Sequence, residues 1–274
     1  MDYERFMLLA SFFGVVMGLV LGLTGAGGGI LAVPALVLGL GWSMTTAAPV
    51  ALFAVGSAAA VGAIDGLRHG LVRYRAALLI ALLGAMFSPL GIYVAHRLPE
   101  KVLMILFSLL MVMVAARMLR RERKDEGPSD HGQANWGQKN CMLDQQTGRF
   151  SWTAKCTATL AAIGAVTGVV SGLLGVGGGF LIVPAFKQLT DVQMRGIIAT
   201  SLMVISLISA IGVIGAWHAG VRIDGLGVAF IVSSIVGMMV GRKLCARVPA
   251  RALQVGFASI CLAVSAYMLL RAGL

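Results

Sequence analysis

The stretch Gly22-Leu23-Thr24-Gly25-Ala26-Gly27-Gly28-Gly29-Ile30-Leu31-Ala32-Val33-Pro34 decides how this chain folds, because a close copy of it follows 150 positions later. The copy reads Gly172-Leu173-Leu174-Gly175-Val176-Gly177-Gly178-Gly179-Phe180-Leu181-Ile182-Val183-Pro184. The same shift aligns further glycines outside the two stretches, and Gly14, Gly18, Gly70 and Gly91 meet Gly164, Gly168, Gly220 and Gly241. The sequence therefore predicts two homologous halves with one glycine-rich stretch in each.

The composition around these stretches is typical of a membrane protein. Of the 274 residues, 58% are hydrophobic and only 12% are charged, whereas soluble chains carry about 25% charged residues. The net charge of +11 comes from basic residues between apolar runs, which indicates membrane-flanking anchors and no nucleic-acid partner. Long apolar runs, each close to the roughly 20 residues that cross a bilayer, cover residues 6–23, 46–64, 76–95, 102–119, 158–174, 198–217, 226–240 and 253–270.

Two shorter apolar runs follow the glycines, at residues 30–40 and 180–186, and each contains a proline. They are too short to cross unaided and suit broken or re-entrant helices. We therefore predict an all-α polytopic membrane protein with two homologous repeats, each of four full spans and one short broken or re-entrant helix. Residues 1–119 form the first membrane repeat, 120–152 a polar cytoplasmic linker without apolar periodicity, and 153–274 the second membrane repeat.

The positions of the basic residues favour an inverted relation between the repeats. If the short runs do not cross, both halves point the same way, and Arg242 and Lys243 lie outside the cell, against the positive-inside rule. If the short runs complete a crossing, each half has five crossings and those residues lie inside with Arg68 and the linker. We favour the inverted arrangement, while eight and ten crossings both stay open.

Three consecutive glycines inside an apolar run weaken a helix by about 1 kcal/mol each relative to alanine. A helix broken there frees backbone N–H groups that lipid cannot satisfy but an anion can, beside the positive end of the next helix dipole. Close helix packing is the alternative role for these glycines, and it stays open. The candidate substrate-binding residues are Gly25, Gly27, Gly28, Gly29 and Ile30 in the first half and Gly175, Gly177, Gly178, Gly179 and Phe180 in the second, with Pro34 and Pro184 as structural breaks.

Other polar residues give no sign of catalysis. Serines inside the apolar runs, such as Ser57, Ser209, Ser233 and Ser234, are interpreted as bonding to carbonyls of their own helices. The four cysteines show no paired spacing and predict neither a disulfide framework nor a metal site. We see no nucleophile–base constellation, so we predict neither an enzyme nor a cofactor. A homo-oligomer stays open.

No acidic residue lies at the centre of an apolar run. Carboxylate-based sodium or proton sites are therefore not expected, which favours export or passive flow of an anion. A proton-coupling role for His69 or His218 stays open, because imidazole titrates near neutral pH. A membrane scaffold or assembly factor that docks partners through the linker is the alternative function.

Both copies of Gly-Leu-x-Gly-x-Gly-Gly-Gly-x-Leu-x-Val-Pro, with Ala199-Thr200-Ser201 and His218-Ala219-Gly220, resemble the TauE/SafE sulfite-exporter family of permeases. The resemblance covers nearly all of the chain except the linker. It implies secondary transport of small sulfur-containing anions, such as sulfite or sulfonates, across the bacterial inner membrane. Where the second half has Thr200 and Ser201, the first half has Val50 and Ala51, so Thr45 and Thr46 are its candidate hydroxyls and the site is expected to be asymmetric.

Overall fold

The computed structural model describes residues 2–25, 28–125, 153–190, 194–218, 223–245 and 250–272, so the linker prediction lies largely outside the described residues. The described ranges fold into helices. They are α1 (Asp2–Thr24), a 3₁₀ turn (Gly28–Leu31), α2 (Ala32–Gly39), α3 (Met44–Arg68), α4 (Tyr74–Arg97), α5 (Glu100–Asp125), α6 (Ala154–Leu174), α7 (Gly179–Leu189), α8 (Met194–His218), α9 (Gly225–Cys245) and α10 (Ala250–Ala272).

Local sequence sets several of the helix ends. The Ser43 hydroxyl accepts a hydrogen bond from the Thr46 N–H and caps α3, and Thr153 caps α6 by accepting from the Cys156 N–H. Such caps satisfy N–H groups that have no partner within the helix. Cys156 is disulfide-bonded, a bond that the cysteine spacing did not predict.

The apolar runs form helices of the expected length. Six helices in the described part of the chain are long and apolar enough to cross a bilayer, namely α1, α3, α4, α6, α8 and α9. The fourth predicted run of each half also lies in a helix, α5 or α10. Glu100 and Lys101 begin α5, and the described apolar part of α10 is the shorter Val255–Leu270. Six of the eight predicted spans therefore form helices of sufficient length and hydropathy to cross, and the other two stay predictions.

Pro34 and Pro184 do not interrupt their helices as expected. Pro34 lies in the first turn of α2, where its missing N–H would have no helical partner anyway. Pro184 lies within α7, where it removes one hydrogen bond but does not end the helix. The interruptions lie upstream of both prolines, at the glycines.

Each main helix pair joins the two halves. Helix α1 packs on α9, α4 on α6, α3 on α8 and α5 on α10. Glycines allow the backbones of α1 and α9 to touch, because a Cβ on Gly14 would lie 2.6 Å from the Phe230 carbonyl oxygen and one on Gly22 would lie 2.9 Å from the Arg242 nitrogen. Gly14, Gly18 and Gly22, which lie four positions apart, therefore form a packing surface on α1.

The contacts along each pair give the helix directions. Residue numbers rise together along α1 and α9, and also along α4 and α6, where Gly164 packs on Ile80 and Gly91 on Leu173. These pairs are parallel. Along α3 and α8 the numbers run in opposite directions, since Gly56 contacts Ser209 and Gly66 contacts Ala199. This pair is antiparallel.

Candidate functional site

Both glycine-rich stretches interrupt a helix. We call residues 25–27, between α1 and the 3₁₀ turn, the first break, and Gly175–Gly178, between α6 and α7, the second break. Gly25 has a φ of +75°, and Gly175, Gly177 and Gly178 have φ values of +69°, +73° and +67°. Glycine adopts such left-handed conformations without the steric cost that a Cβ brings. Ala26 and the candidate Gly27 lie outside the described residues.

The structure brings the two glycine-rich stretches together in the core. A Cβ on Gly29 would lie 3.1 Å from the Val176 carbonyl oxygen and 3.1 Å from the Val55 side chain. A Cβ on Gly177 would lie 3.5 Å from the same Val55 methyl group. Helix α3 thus places Val55 between the stretches, which meet at the interface of the two halves.

Backbone donors of the second break lack partners. The Gly175 N–H donates to the Ser171 carbonyl at 2.8 Å, and the Gly178 carbonyl accepts from the Leu181 N–H at 3.1 Å. The N–H groups of Val176, Gly177 and Gly178 make no hydrogen bond with any described residue. All three residues are buried. Unpaired buried amides are rare and costly, so these donors can receive an anionic acceptor.

Several candidate residues serve packing. A Cβ on Gly28 would collide with the backbone of Leu21, and Gly178 lies so close to α6 that a Cβ would be 2.9 Å from the Thr167 carbonyl oxygen. Ile30 and Phe180 are core residues, with 0% and 4% exposure. Their side chains fill space between the halves.

A cavity of about 580 Å³, here the large cavity, leads to the second break. The start of α3 and the ends of α4, α6 and α8 surround it, and it contains the candidates Thr45 and Gly175. Ser171 also lines it and is 1% exposed, and its hydroxyl has no partner within the described part of the chain. The lining continues to His96, which is exposed at the end of α4. No carboxylate is among the described residues that line this cavity.

The other candidate hydroxyls form structural hydrogen bonds. Thr200 donates to the Gly196 carbonyl at 2.6 Å and accepts from the Arg73 N–H at 3.1 Å, so it joins α8 to the start of α4. Ser201 donates to the Ile198 carbonyl at 2.8 Å. The Thr46 hydroxyl donates to the Ser43 carbonyl at 3.2 Å. None of these three lines the large cavity.

Ser171 and Ser209 were not identified from the sequence as candidate site residues. Ser57, Ser233 and Ser234 bond to carbonyls of their own helices, as interpreted from the sequence. The Ser209 hydroxyl contacts no hydrogen-bond partner in the described ranges, although the residue is fully buried. The repeat contains the signal that could have found both serines, because the 150-residue shift pairs them with the apolar Leu21 and Ala59.

The equivalent region at the opposite end of the helices is filled. Ile198 packs on Gly25, whereas the smaller Ala48 packs on Gly175 beside the large cavity. Side chains of Met238 and Leu202 lie against Gly62, the counterpart of the cavity residue Gly212.

An ion pair also ties α9 to α3 at this filled end. Arg242 Nη2 lies 2.5 Å from Asp65 Oδ2, and Arg242 Nη1 donates to the Gly62 carbonyl at 2.6 Å. The counterparts of Arg242 and Asp65 in the other half are Ile92 and Gly215, which both line the large cavity. The two ends therefore differ in side-chain volume and in charge.

Comparisons with known proteins agree with this architecture. The family model described as "Sulfite exporter TauE/SafE" matches residues 10–268. A probable membrane transporter protein of Xylella fastidiosa (strain 9a5c) is 31% identical over 261 residues, which cover 94% of this chain and 93% of the relative. The probable membrane transporter protein YunE of Bacillus subtilis (strain 168) is 24% identical over 245 residues, which cover 85% and 86% of the two chains. No solved structure matches the chain.

These matches and the long apolar helices define a multi-pass membrane transporter. Within that class, the chain belongs to the sulfite exporter TauE/SafE family.

Proposed function

We propose that this protein is a secondary transporter that carries small sulfur-containing anions, such as sulfite or organosulfonates, across the bacterial inner membrane. The observation that carries the proposal is the large cavity, which reaches Gly175 at the start of the second break. The next three residues, Val176, Gly177 and Gly178, have buried amides without a partner among the described residues. These donors precede the N-terminus of α7, whose dipole favours negative charge. The names of the relatives support a transport function but specify no transported substrate.

Export is the favoured direction. A negative-inside membrane potential drives an anion outward by about 2.3 kcal/mol per charge per 100 mV. Uptake would require a coupling ion, and the cavity lining offers no carboxylate among its described residues for a cation. Outward movement of the anion requires no such site.

The two halves are proposed to be an inverted repeat. The antiparallel packing of the equivalent helices α3 and α8 supports this relation. So does the Arg242–Asp65 ion pair, because it requires the ends of α3 and α9 to lie on one side of the membrane. With the same direction in both halves, these two ends would lie on opposite sides. The inverted relation also places the basic residues inside, in accord with the positive-inside rule.

Alternating access follows from this relation. One end of the helix bundle is open through the large cavity, and its counterpart is filled by Ile198, Met238 and the Arg242–Asp65 pair. In an inverted repeat, exchange of the two half-conformations opens the filled end and closes the cavity. The anion at the second break then faces the other side.

Purified protein in proteoliposomes tests the proposal. We expect saturable sulfite flux that protein-free vesicles lack. A thermal-shift screen against sulfite, thiosulfate, taurine, sulfate and simple carboxylates identifies the anion class, because a ligand that binds the folded state raises apparent stability. Absence of both flux and stabilisation with every sulfur-containing anion would overturn the proposal.

A further inference from the structure

We infer that the two halves do not share the anion equally: the second break binds it, with the hydroxyls of Ser171 and Ser209 as additional ligands, and the first break has a structural role. This inference rests on the proposed function and specifies its site. It starts from two buried hydroxyls that have no partner among the described residues. Both lie beside the second break.

Ser209 lies beside the second break. A Cβ on Gly177 would lie 3.4 Å from the Ser209 Oγ and one on Gly56 would lie 3.2 Å from it, so the hydroxyl lies between the second break and α3. Ser209 also lines a smaller cavity of about 320 Å³ between α3 and α8. The residue is 0% exposed, so water at the protein surface does not satisfy its hydroxyl.

Ser171 lies on the side of the second break that faces the large cavity. It is in the last turn of α6, and its carbonyl accepts the Gly175 N–H while its hydroxyl is unpartnered. The large cavity thus reaches Gly175 of the second break, and the smaller cavity is lined by Ser209, whose Oγ lies near Gly177. Hydroxyl and amide donors around the N-terminal end of a helix form a suitable site for an oxyanion with several acceptor oxygens.

The first break differs from the second in the side chains around it. The counterparts of Ser171 and Ser209 are Leu21 and Ala59, which offer no side-chain donor. Ile198 packs onto Gly25, and the backbone of Leu21 packs onto Gly28. The Thr24 hydroxyl, which adjoins this break, already donates to the Val20 carbonyl at 2.8 Å. The described side chains that pack on Gly25 and Gly28 are therefore apolar.

The test measures sulfite affinity of the purified full-length protein by calorimetry, together with the melting temperature without ligand and flux in proteoliposomes. Ser209→Ala and Ser171→Ala should each weaken sulfite binding by about tenfold, because each removes one hydrogen bond to a charged group. Their melting temperatures without sulfite should equal or exceed that of the wild type, since the lost hydroxyl had no partner. A residue with only a structural role would not combine these two effects.

Two matched controls accompany the variants. Ser108→Ala removes a buried hydroxyl that bonds to the Met104 carbonyl, and Thr24→Val removes the hydroxyl beside the first break. Both should keep sulfite affinity within about twofold of the wild type. Wild-type affinity in Ser209→Ala and Ser171→Ala, with normal wild-type flux, would overturn the inference and leave the proposed function intact. Absence of sulfite binding and flux in the wild type would remove the proposed function and this inference together.

Discussion

The backbone conformation and close packing at Gly178 both exclude a side chain. Its φ of +67° belongs to the left-handed region, and an added Cβ would lie 2.9 Å from the Thr167 carbonyl oxygen. The left-handed backbone alone costs a residue with a Cβ about 1–2 kcal/mol. Gly178→Ala should therefore destabilise the protein by about 2 kcal/mol and reduce sulfite flux, because α7 begins at the next residue.

Unfolding and proteoliposome flux measure this effect. Gly256→Ala is the control, since an added Cβ there meets nothing within 4 Å and its φ is not in the left-handed region. It should keep both stability and flux. Unchanged flux and stability in Gly178→Ala would show that the second break tolerates a side chain, contrary to its geometry.

Residue chemistry could be predicted only in part. The helix breaks at both glycine-rich stretches were predicted from the number and repetition of the glycines, because three glycines in an apolar run are unfavourable in a continuous helix. The hydrogen-bond partners of the hydroxyl groups were not predicted. The hydroxyls of Thr200 and Ser201 donate hydrogen bonds to carbonyls of α8, whereas the hydroxyl of Ser209, on the same helix, has no partner among the described residues. Which carbonyl a serine reaches depends on rotamer and packing, and one sequence does not contain that information.

At the scale of elements, the ion pair between α3 and α9 should help to hold the filled end closed. A partly exposed pair of this kind is worth up to about 1 kcal/mol, which changes a two-state ratio about fivefold. Asp65→Asn should shift the population toward the state that is open at this end. A cysteine introduced by Thr45→Cys in the large cavity should then react more slowly with a membrane-impermeant thiol reagent.

Asp224→Asn is the matched control for this experiment. Asp224 accepts a hydrogen bond from the Gly227 N–H near the start of α9, away from the ion pair, and Asn retains an acceptor there. In a protein with Asp224→Asn, Thr45→Cys should be labelled at the same rate as in the protein that carries Thr45→Cys alone. Equal rates in Asp65→Asn and the parent would mean that the ion pair does not influence the equilibrium between the two states.

Elements were more predictable than their partners. Hydropathy predicted eight spans, six of which form helices long and apolar enough to cross a bilayer, and Gly14, Gly18 and Gly22 lie four positions apart on the contact face of α1. The partner of that face, α9, was not predicted, because α6 and α9 both have glycines and similar apolar surfaces. The partner is set by the arrangement of both halves together.

At the scale of the whole molecule, the inverted relation makes a labelling prediction. Lys243→Cys and Arg68→Cys, each in a cysteine-free protein, should be protected from a membrane-impermeant thiol reagent in intact cells. Both positions follow the ion pair that joins the ends of α3 and α9, and both are exposed. Pro99→Cys, at the opposite end of α4, is the control and should react. Labelling of Lys243→Cys but not of Arg68→Cys from outside the cell would be incompatible with the inverted relation, and labelling of both would reverse the expected orientation.

The features that the two halves share could be predicted from the sequence repeat. The repeat predicted equivalent helices, and α3 and α8 do begin and end 150 positions apart. The difference between the two ends depends on substitutions within the repeat, such as Ala48 against Ile198 and Ser88 against Met238. Their effect on volume becomes visible only when the helices that they separate are known.

The crossed pairing of helices has an evolutionary consequence. Because α1 packs on α9 and α4 on α6, neither half holds the main partners of its own glycine-bearing helices. Under the proposed inverted relation, a single-repeat ancestor would have left those backbone surfaces facing lipid until a second subunit arrived in the opposite orientation. Fusion of two such subunits into one gene fixes their ratio at one to one, and it also frees each copy to diverge. The polar serines found in only one copy are the kind of specialisation that this freedom permits.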